Sequence, residues 1–398
     1  MINRTHNLPE ILEKKHSVLL LGPRGTGKST YIRSLLKNKN FFEIDLLATD
    51  NFRQYFSRPG LLSDVIESQL KKDKNFLYIF IDEIQKIPSL MDEIHSLIEK
   101  HKNKLCFILS GSSARKLRKV GVNLLAGRAI FLSMHPFLKS ELQESFLLED
   151  ALLYGTLPIV FDKKDPYLKQ ETLRTYVDTY IREEIREEAL VRNLETFILF
   201  LDMAAQMNGE PLNFSEISRE CHTTPATIKE YFQILSDTLL GNMVYGWDRS
   251  VRRQLQKAPR FYFFDCGVLN ALRKELTIEF SSQSKRTGKL FEMFIINEII
   301  KINSIFRLDF QTYYYRTKEG QEVDLVLSRN KYQSPIAIEI KSSHQVFEED
   351  LSGLFIFKDE NPKARLYCFS NVKNSIEIKG VRVLNYEEGF ELFRNQKL

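Results

Sequence analysis

An α/β fold in several parts is what this 398-residue sequence predicts, and three stretches predict it. The first, "HSVLLLGPRGTGKSTYIRSLL", passes from a short apolar strand through a glycine-rich turn into a helical pattern. The second, "FLYIFIDEIQKIP", is an unbroken apolar strand that ends in two carboxylates. The third, "AIEIKSS", sets Glu339 and Lys341 into a strand that otherwise asks to be buried. A chain of this length divides into about two or three domains. The pattern shifts place them at 1–150, 151–280 and 281–398.

Composition narrows the class. Apolar residues at 43% and charged residues at 27% describe an ordinary globular protein. A net charge of +5 excludes a strong global field, so any basic surface must be local. Cys106, Cys221, Cys266 and Cys368 are far apart and lack metal-ligand spacing, which reads as single buried thiols in a reducing compartment. The N-terminal "MINRTHNLPEILEKK" has no apolar signal-peptide core, and no run approaches the roughly 20 apolar residues that span a bilayer. The expectation is a cytoplasmic protein with no membrane partner.

In the first part, Val18 to Leu21 is the strand, and Gly22 through Ser29 fits G-x-x-x-x-G-K-[ST]. Glycines let backbone N–H groups curl around a polyphosphate, Lys28 reaches its β/γ oxygens, and the Ser29 hydroxyl reaches Mg²⁺. The helix that follows aims its N-terminal amides at the same anion. The expected nucleotide contacts are Gly22, Pro23, Arg24, Gly25, Thr26, Gly27, Lys28, Ser29 and Thr30. ATP with Mg²⁺ is the expected ligand. A strand before and a helix after set this apart from a chance glycine-rich match.

Phe76 to Ile81 is apolar on both faces, as a central parallel strand is. Asp82 and Glu83 follow it, where α/β ligands bind. Asp82 is the expected Mg²⁺ holder and Glu83 the general base that polarises the attacking water. A third strand, "KLCFILSGSSARKL", ends in Ser110, Gly111 and Ser112. Ser110 is placed to sense a γ-phosphate, although serine after a strand is also ordinary turn chemistry. In "LLAGRAIFLSMHPFLKSEL", Arg128 is either a charge-stabilising arginine, in cis or from a neighbouring subunit, or a plain surface residue. Arg115 is a weaker rival.

The segments "GPRGTGKST", "FLYIFIDEIQKIP", "LSGSSARKL" and "LAGRAIFLSMHPFLKSEL" together resemble the AAA+-type P-loop ATPases of prokaryotes, more narrowly those fused to a C-terminal DUF4143 region. The resemblance covers most of the chain. It implies a P-loop αβα ATPase domain and self-association into a ring, with a hexamer favoured. It also raises Arg128 as a finger acting in trans.

From about residue 150 to 240 the pattern is helical, and "IREEIREEAL" reads as a solvated face. In "NGEPLNFSEISRECHTTPATIKEYFQILSDTLL", a short helix at about Phe214 to Glu220 is followed by the turn "CHTTP". A second helix starts near Thr224, with Pro225 in its first turn. Two helices joined so tightly suggest helix-turn-helix. Aromatic strand-like stretches around Arg249, Arg252, Arg253 and Lys257 supply a wing with phosphate-contacting charge. Winged helices also serve as plain packing modules, and Lys229 is the main cation of the second helix.

The last part orders a helix with Glu292, a strand, Asp324 between Val323 and Leu325, another strand, then Glu339-x-Lys341. That order resembles the PD-(D/E)xK nuclease fold, a restriction-endonuclease-like α/β domain with an α-β-β-β-α-β core. The resemblance implies that Asp324 and Glu339 hold Mg²⁺ or Mn²⁺, that Lys341 positions water, and that Glu292 orders the shell. Glu-x-Lys alone is often an exposed ion pair worth little. Nuclease-like domains also bind DNA without cutting it. The combined expectation is a Mg²⁺-dependent ATPase acting as a DNA motor on duplex or branched DNA. Two other readings stay open, a nucleotide switch that recognises a protein partner and an ATP-gated endonuclease.

Overall fold

The computed structural model describes residues 2–72, 76–102, 104–112, 115, 125, 127–181, 194–254, 257–330 and 332–398. The fold is mixed α/β, as expected, and divides into two compact units. One holds residues 1–137 with 237–240, the other 138–236 with 241–398.

In the first unit the strands are β1 (Ser17–Leu21), β2 (Phe41–Asp45), β3 (Leu77–Asp82), β4 (Leu105–Gly111) and β5 (Ala129–Ser133). They form one parallel sheet in the order β2-β3-β4-β1-β5. Its central strands are buried on both faces because their sequences are apolar at successive positions. Leu19, Ile79, Ile81 and Leu109 fill one core, while Val18, Leu20, Phe80 and Ile108 fill the other. Alternate residues therefore serve opposite layers. Helix α1 (Lys28–Leu36) contributes Ile32 and Leu36 to one layer, and α2 (Leu90–Lys100) contributes Ile94 and Leu97 to the other.

In the second unit, α3 (Leu194–Gln206), α4 (Phe214–Glu220) and α5 (Pro225–Asp237) precede an antiparallel pair, β6 (Gly241–Gly246) and β7 (Arg260–Phe263). Asn213 caps α4 through its side chain, and His222 turns the chain with a left-handed φ of 50°. Phe200, Phe232 and Phe261 pack α3, α5 and β7 together, edge to face and tilted, with ring centroids 4.8 and 5.2 Å apart. This is helix-turn-helix followed by a hairpin. Residues 182–190 of "IREEIREEAL" lie outside the described residues.

The chain then forms α6 (Lys285–Ile305), β8 (Gln311–Arg316), β9 (Glu322–Ser328), β10 (Ile336–Lys341), α7 (Ser352–Glu360) and β11 (Arg365–Ser370). It ends with β12 (Ile376–Ile378), β13 (Val381–Asn385) and α8 (Tyr386–Arg394). The sheet order is β12-β13-β11-β10-β9-β8-β6-β7. Strand β6 pairs in parallel with β8 at Tyr245–Tyr313 and Gly246–Tyr314, so the hairpin and the C-terminal layer share one sheet. At the β7 edge, Pro211 bridges to Arg260, and the Gly209 and Leu212 amides donate to the Phe261 and Pro259 carbonyls. Among the described residues no helix is long and apolar enough to cross a membrane.

Helix α7 lies so close to β9 that a Cβ at Gly353 would stand 1.8 Å from the Glu322 carbonyl oxygen. Gly353→Ala should therefore cost about 1–3 kcal/mol through overpacking. A fall in the urea midpoint with unchanged slope would show it.

Candidate functional site

The turn between β1 and α1 is built on backbone geometry. Gly25 and Gly27 hold φ of 78° and 82°, a region costly for residues with a Cβ. A Cβ at Gly22 would stand 2.3 Å from the Met134 carbonyl oxygen, so only glycine fits beside the end of β5. The Thr26 hydroxyl donates to the Pro23 carbonyl at 2.7 Å and braces the loop from inside. The buried Lys28 ammonium lies over the loop and donates to the Gly22 and Pro23 carbonyls at 2.7 and 3.1 Å. No side chain caps the N-terminus of α1, which leaves its first-turn amides for an anion. A cation, a glycine-lined curve and these amides together fit a polyphosphate.

The acidic side comes from β3, with β4 between it and β1. Register pairs Leu20 of β1 with Ser110 of β4, and the Gly22 amide donates to the Gly111 carbonyl at 3.2 Å. The buried Ser110 hydroxyl in turn donates to Asp82 Oδ1. Arg33 of α1 lies 3.9 Å from Asp82 Oδ2 and 2.6 Å from Glu43. Glu83 is buried and holds a left-handed φ of 59°, a conformation that persists in non-glycine residues only where the surroundings enforce it. Its carboxylate accepts from Gln85 Nε2, which also donates to the Ser112 hydroxyl at 3.0 Å. Thus Lys28, Ser110, Asp82 and Glu83 gather at the carboxyl ends of parallel strands, where α/β folds bind ligands. The carboxylate end of β3, beside this phosphate-shaped turn, fits a divalent cation carried on a bound nucleotide.

Arg128 is not part of this group. It immediately precedes β5, whose first residue pairs with Ser17 at the start of β1, and its guanidinium pairs with Glu99 near the end of α2. The cradle begins after Leu21, at the opposite end of that strand. Arg128 thus lies at the end of the sheet opposite the cradle of its own chain. Arg115 pairs with Asp237 at 2.9 Å.

A second cluster lies in the C-terminal layer. The antiparallel β9–β10 ladder runs to Ile338–Leu325, and its continuation sets Glu339 opposite Asp324. Cross-strand neighbours of this kind have Cβ atoms about 5 Å apart. The Asp324 carboxylate accepts the Ile340 amide at 2.8 Å, and Lys341 Nζ stands 2.9 Å from Glu339 Oε1. Glu339 Oε2 is buried without a hydrogen-bond partner. Burial pushes Glu339 up to about 7, against the pull of Lys341. Burial, then the charges of Glu339 and Glu292, hold Asp324 well above the usual carboxylate range. For Lys341, burial works against the charge, but the Glu339 carboxylate keeps its pKa above the ordinary lysine value. Two opposed carboxylates with one oxygen unsatisfied fit a divalent cation. Only these two would ligate it directly, since among the described residues no group of three or more His, Cys, Asp or Glu has that arrangement.

Glu292 of α6 is brought to the same place by residues that sequence reading missed. Tyr262 of β7 donates its hydroxyl to Glu292 Oε1 at 2.8 Å, Lys289 lies 3.3 Å from Oε2, and Arg260 lies 3.9 Å from Oε1. Arg260 is fully buried and also pairs with Glu322. Burial, then the neighbouring Glu292 charge, raises the Tyr262 pKa far above the usual phenol value. The available signal was an arginine opening the aromatic run "RFYFF", since a charge there needs a buried partner. Gln85 was likewise missed, two residues beyond Glu83 and hidden in an apolar turn.

The geometry defines a class, the AAA-type P-loop ATPase fold. Residues 14–143 match the AAA domain model, residues 145–280 a domain of unknown function designated DUF8612, and residues 287–388 the domain of unknown function DUF4143. Along the chain the matches thus run from the AAA domain through DUF8612 to DUF4143. Uncharacterized proteins of Mycobacterium tuberculosis and Mycobacterium bovis are each 23% identical over 337 residues, 84% of this chain and 72% of theirs. Among solved structures, a Walker-type ATPase of Pyrococcus abyssi is 16% identical with a TM-score of 0.47, covering 69% of this chain and 96% of its own. The RuvB Holliday junction branch migration motor of Thermotoga maritima is 15% identical with a TM-score of 0.30, covering 57% and 81%.

With chelator present, ionising Glu339 should destabilise the second unit. Its folded pKa of about 7 exceeds the ordinary 4.5, so the native state binds more protons in that interval. The associated stability is full below 4.5 and is lost as pH rises through about 7. Urea midpoints at about pH 5 and about pH 8 should differ more for the wild type than for Glu339→Gln.

Proposed function

We propose that the chain is a Mg²⁺-dependent ATPase that acts on DNA as a motor, with its C-terminal layer gripping or cutting the strand. The observation that carries the ATPase reading is the phosphate cradle facing Asp82 and Glu83, with Ser110 hydrogen-bonded between. In this reading the segment Gly22 to Thr30 holds the phosphates, Lys28 the β/γ oxygens, and Ser29 with Asp82 the Mg²⁺. Glu83 polarises the attacking water once its bond to Gln85 gives way, and Ser110 reports the γ-phosphate through Asp82. Arg128 lies at the far end of β5 from its own cradle, which supports a finger acting on a neighbouring subunit's nucleotide in a ring. The compartment is cytoplasmic.

DNA is supported by the helix-turn-helix and hairpin beside a layer that gathers Glu292, Asp324, Glu339 and Lys341. The same gathering favours a second reading, metal-assisted phosphodiester hydrolysis. A bound divalent cation would supply Lewis acidity there, held by Asp324 and Glu339. Lys341 would orient water and balance charge on the phosphate, and Glu292, fixed by Tyr262, would order the surrounding water.

Lys28→Ala should abolish ATP binding, read by a fluorescent nucleotide. Glu83→Gln should keep binding but lower turnover about 10²–10⁴-fold. DNA should accelerate wild-type turnover, and a rate unchanged by duplex, single-stranded and branched DNA alike would sink the motor reading. Asp324→Ala and Lys341→Ala should each abolish any metal-dependent cutting; undiminished cutting in both would sink the nuclease reading.

A further inference from the structure

A groove of about 670 Å³ opens at the end of the second unit's sheet remote from the carboxylates. It is bounded by the start of β8 at Gln311, the end of β9 at Ser328, and the segments entering β10 and β11 at Pro335 and Ala364. Glu339 and Lys341 lie at the other end of β10. Neither the carboxylate cluster nor the nucleotide cradle accounts for this space.

Its lining has two chemistries. Trp247 and Tyr313 meet edge to face, with centroids 5.3 Å apart, and the Trp247 amide donates to the Tyr314 carbonyl at 2.6 Å. That hydrogen bond fixes the Trp247 backbone where the hairpin joins β8. Across the groove Tyr332 is 86% exposed, an unusual position for so large a ring. Side-chain amides of Gln254, Gln311, Asn330 and Gln333 line the space between. Aromatic faces with amides beside them suit bases, which stack and present donors and acceptors at their edges.

The second chemistry is positive charge. Lys363 lines the groove itself, and Arg249 stands on the wall that it shares with a smaller cavity of about 270 Å³. That cavity adds Arg253 and Lys257. Arg249 is braced by Asn361 at 3.2 Å and by the Glu360 carbonyl, and Lys257 by the Trp247 carbonyl, so these cations have fixed positions. Asp248, 3.2 Å from Arg253 and 3.8 Å from Lys257, and Glu360 offset part of the charge, leaving four cations to two carboxylates along this loop and its rim. The basic loop of the hairpin is thus turned toward an aromatic groove.

We propose that this groove binds a single strand of DNA, its bases stacked among Trp247, Tyr313 and Tyr332 and its phosphates tracked by Arg249, Arg253, Lys257 and Lys363. The assignment rests on the reading that the chain works on DNA and names the form of DNA it takes. A duplex keeps its bases stacked on one another and offers no ring face to these side chains. Backbone contact with the cations makes the affinity fall as salt rises.

Trp247 is the chain's one tryptophan, so its fluorescence reports this site alone. Oligo(dT) of about 12 nucleotides should quench it with the full-length protein, and a blunt duplex of equal length should not. Tyr332→Ala should weaken that binding about 5- to 150-fold, the range of one base–aromatic stack. Because Tyr332 is exposed, the variant should melt with the wild type. Lys363→Glu should weaken binding and flatten its salt dependence. Equal quenching by the duplex, or Tyr332→Ala binding as wild type, overturns the proposal. If Trp247 stays silent while gel shift shows the protein on branched or duplex DNA, the groove assignment falls and the DNA reading stands. If no form of DNA binds by either method, the DNA reading falls and takes the groove with it.

Discussion

A strand buried on both faces can carry charge only where it ends, because desolvating an ionised group inside it is prohibitively costly. Both candidate centres follow from that constraint. Strand β3 is fully buried and places Asp82 at its last position and Glu83 just beyond. Strand β10 is buried to Ile340 and reaches Glu339 and Lys341 as it approaches the open end of the sheet. The register of the neighbouring strand then selects the partner: Ser110 reaches Asp82, and Asp324 faces Glu339. The chemistry at each centre is a consequence of where the apolar run stops.

Much of this was legible in the residues. The cradle needed only its spacing and its flanks, and the buried strands announced themselves as apolar runs without alternation. The helix-turn-helix was marked by "CHTTP" and by a proline where a helix can start. Glu-x-Lys was ambiguous between an ion pair and a site. The structure shows that the two are compatible, since Lys341 pairs with Glu339 while Asp324 stands opposite.

What was not legible depends on distant contacts. Nothing near Glu292 in sequence indicates that Tyr262, thirty positions earlier, would donate to it. Nor does the sequence disclose that β6 joins β8, which brings Arg260 and Tyr262 of β7 into the same unit as α6 and β9. The groove beside Trp247 is hidden for the same reason. Its walls come from four separated segments, each polar and unremarkable alone. Arg128 shows the reverse case, a residue that looks apt by composition but stands at the far end of the strand from the phosphate turn.

The edges of the eight-stranded sheet bear on how copies of this chain can meet. At one edge β12 has only three residues, too short a template for another strand to extend. At the other, the bridge from Pro211 to Arg260 and the amides of Gly209 and Leu212 already occupy part of the β7 backbone. A sheet so finished resists open-ended strand-by-strand polymerisation. Copies that meet on this part of the molecule therefore do so through side-chain surfaces rather than by extending the eight-stranded sheet.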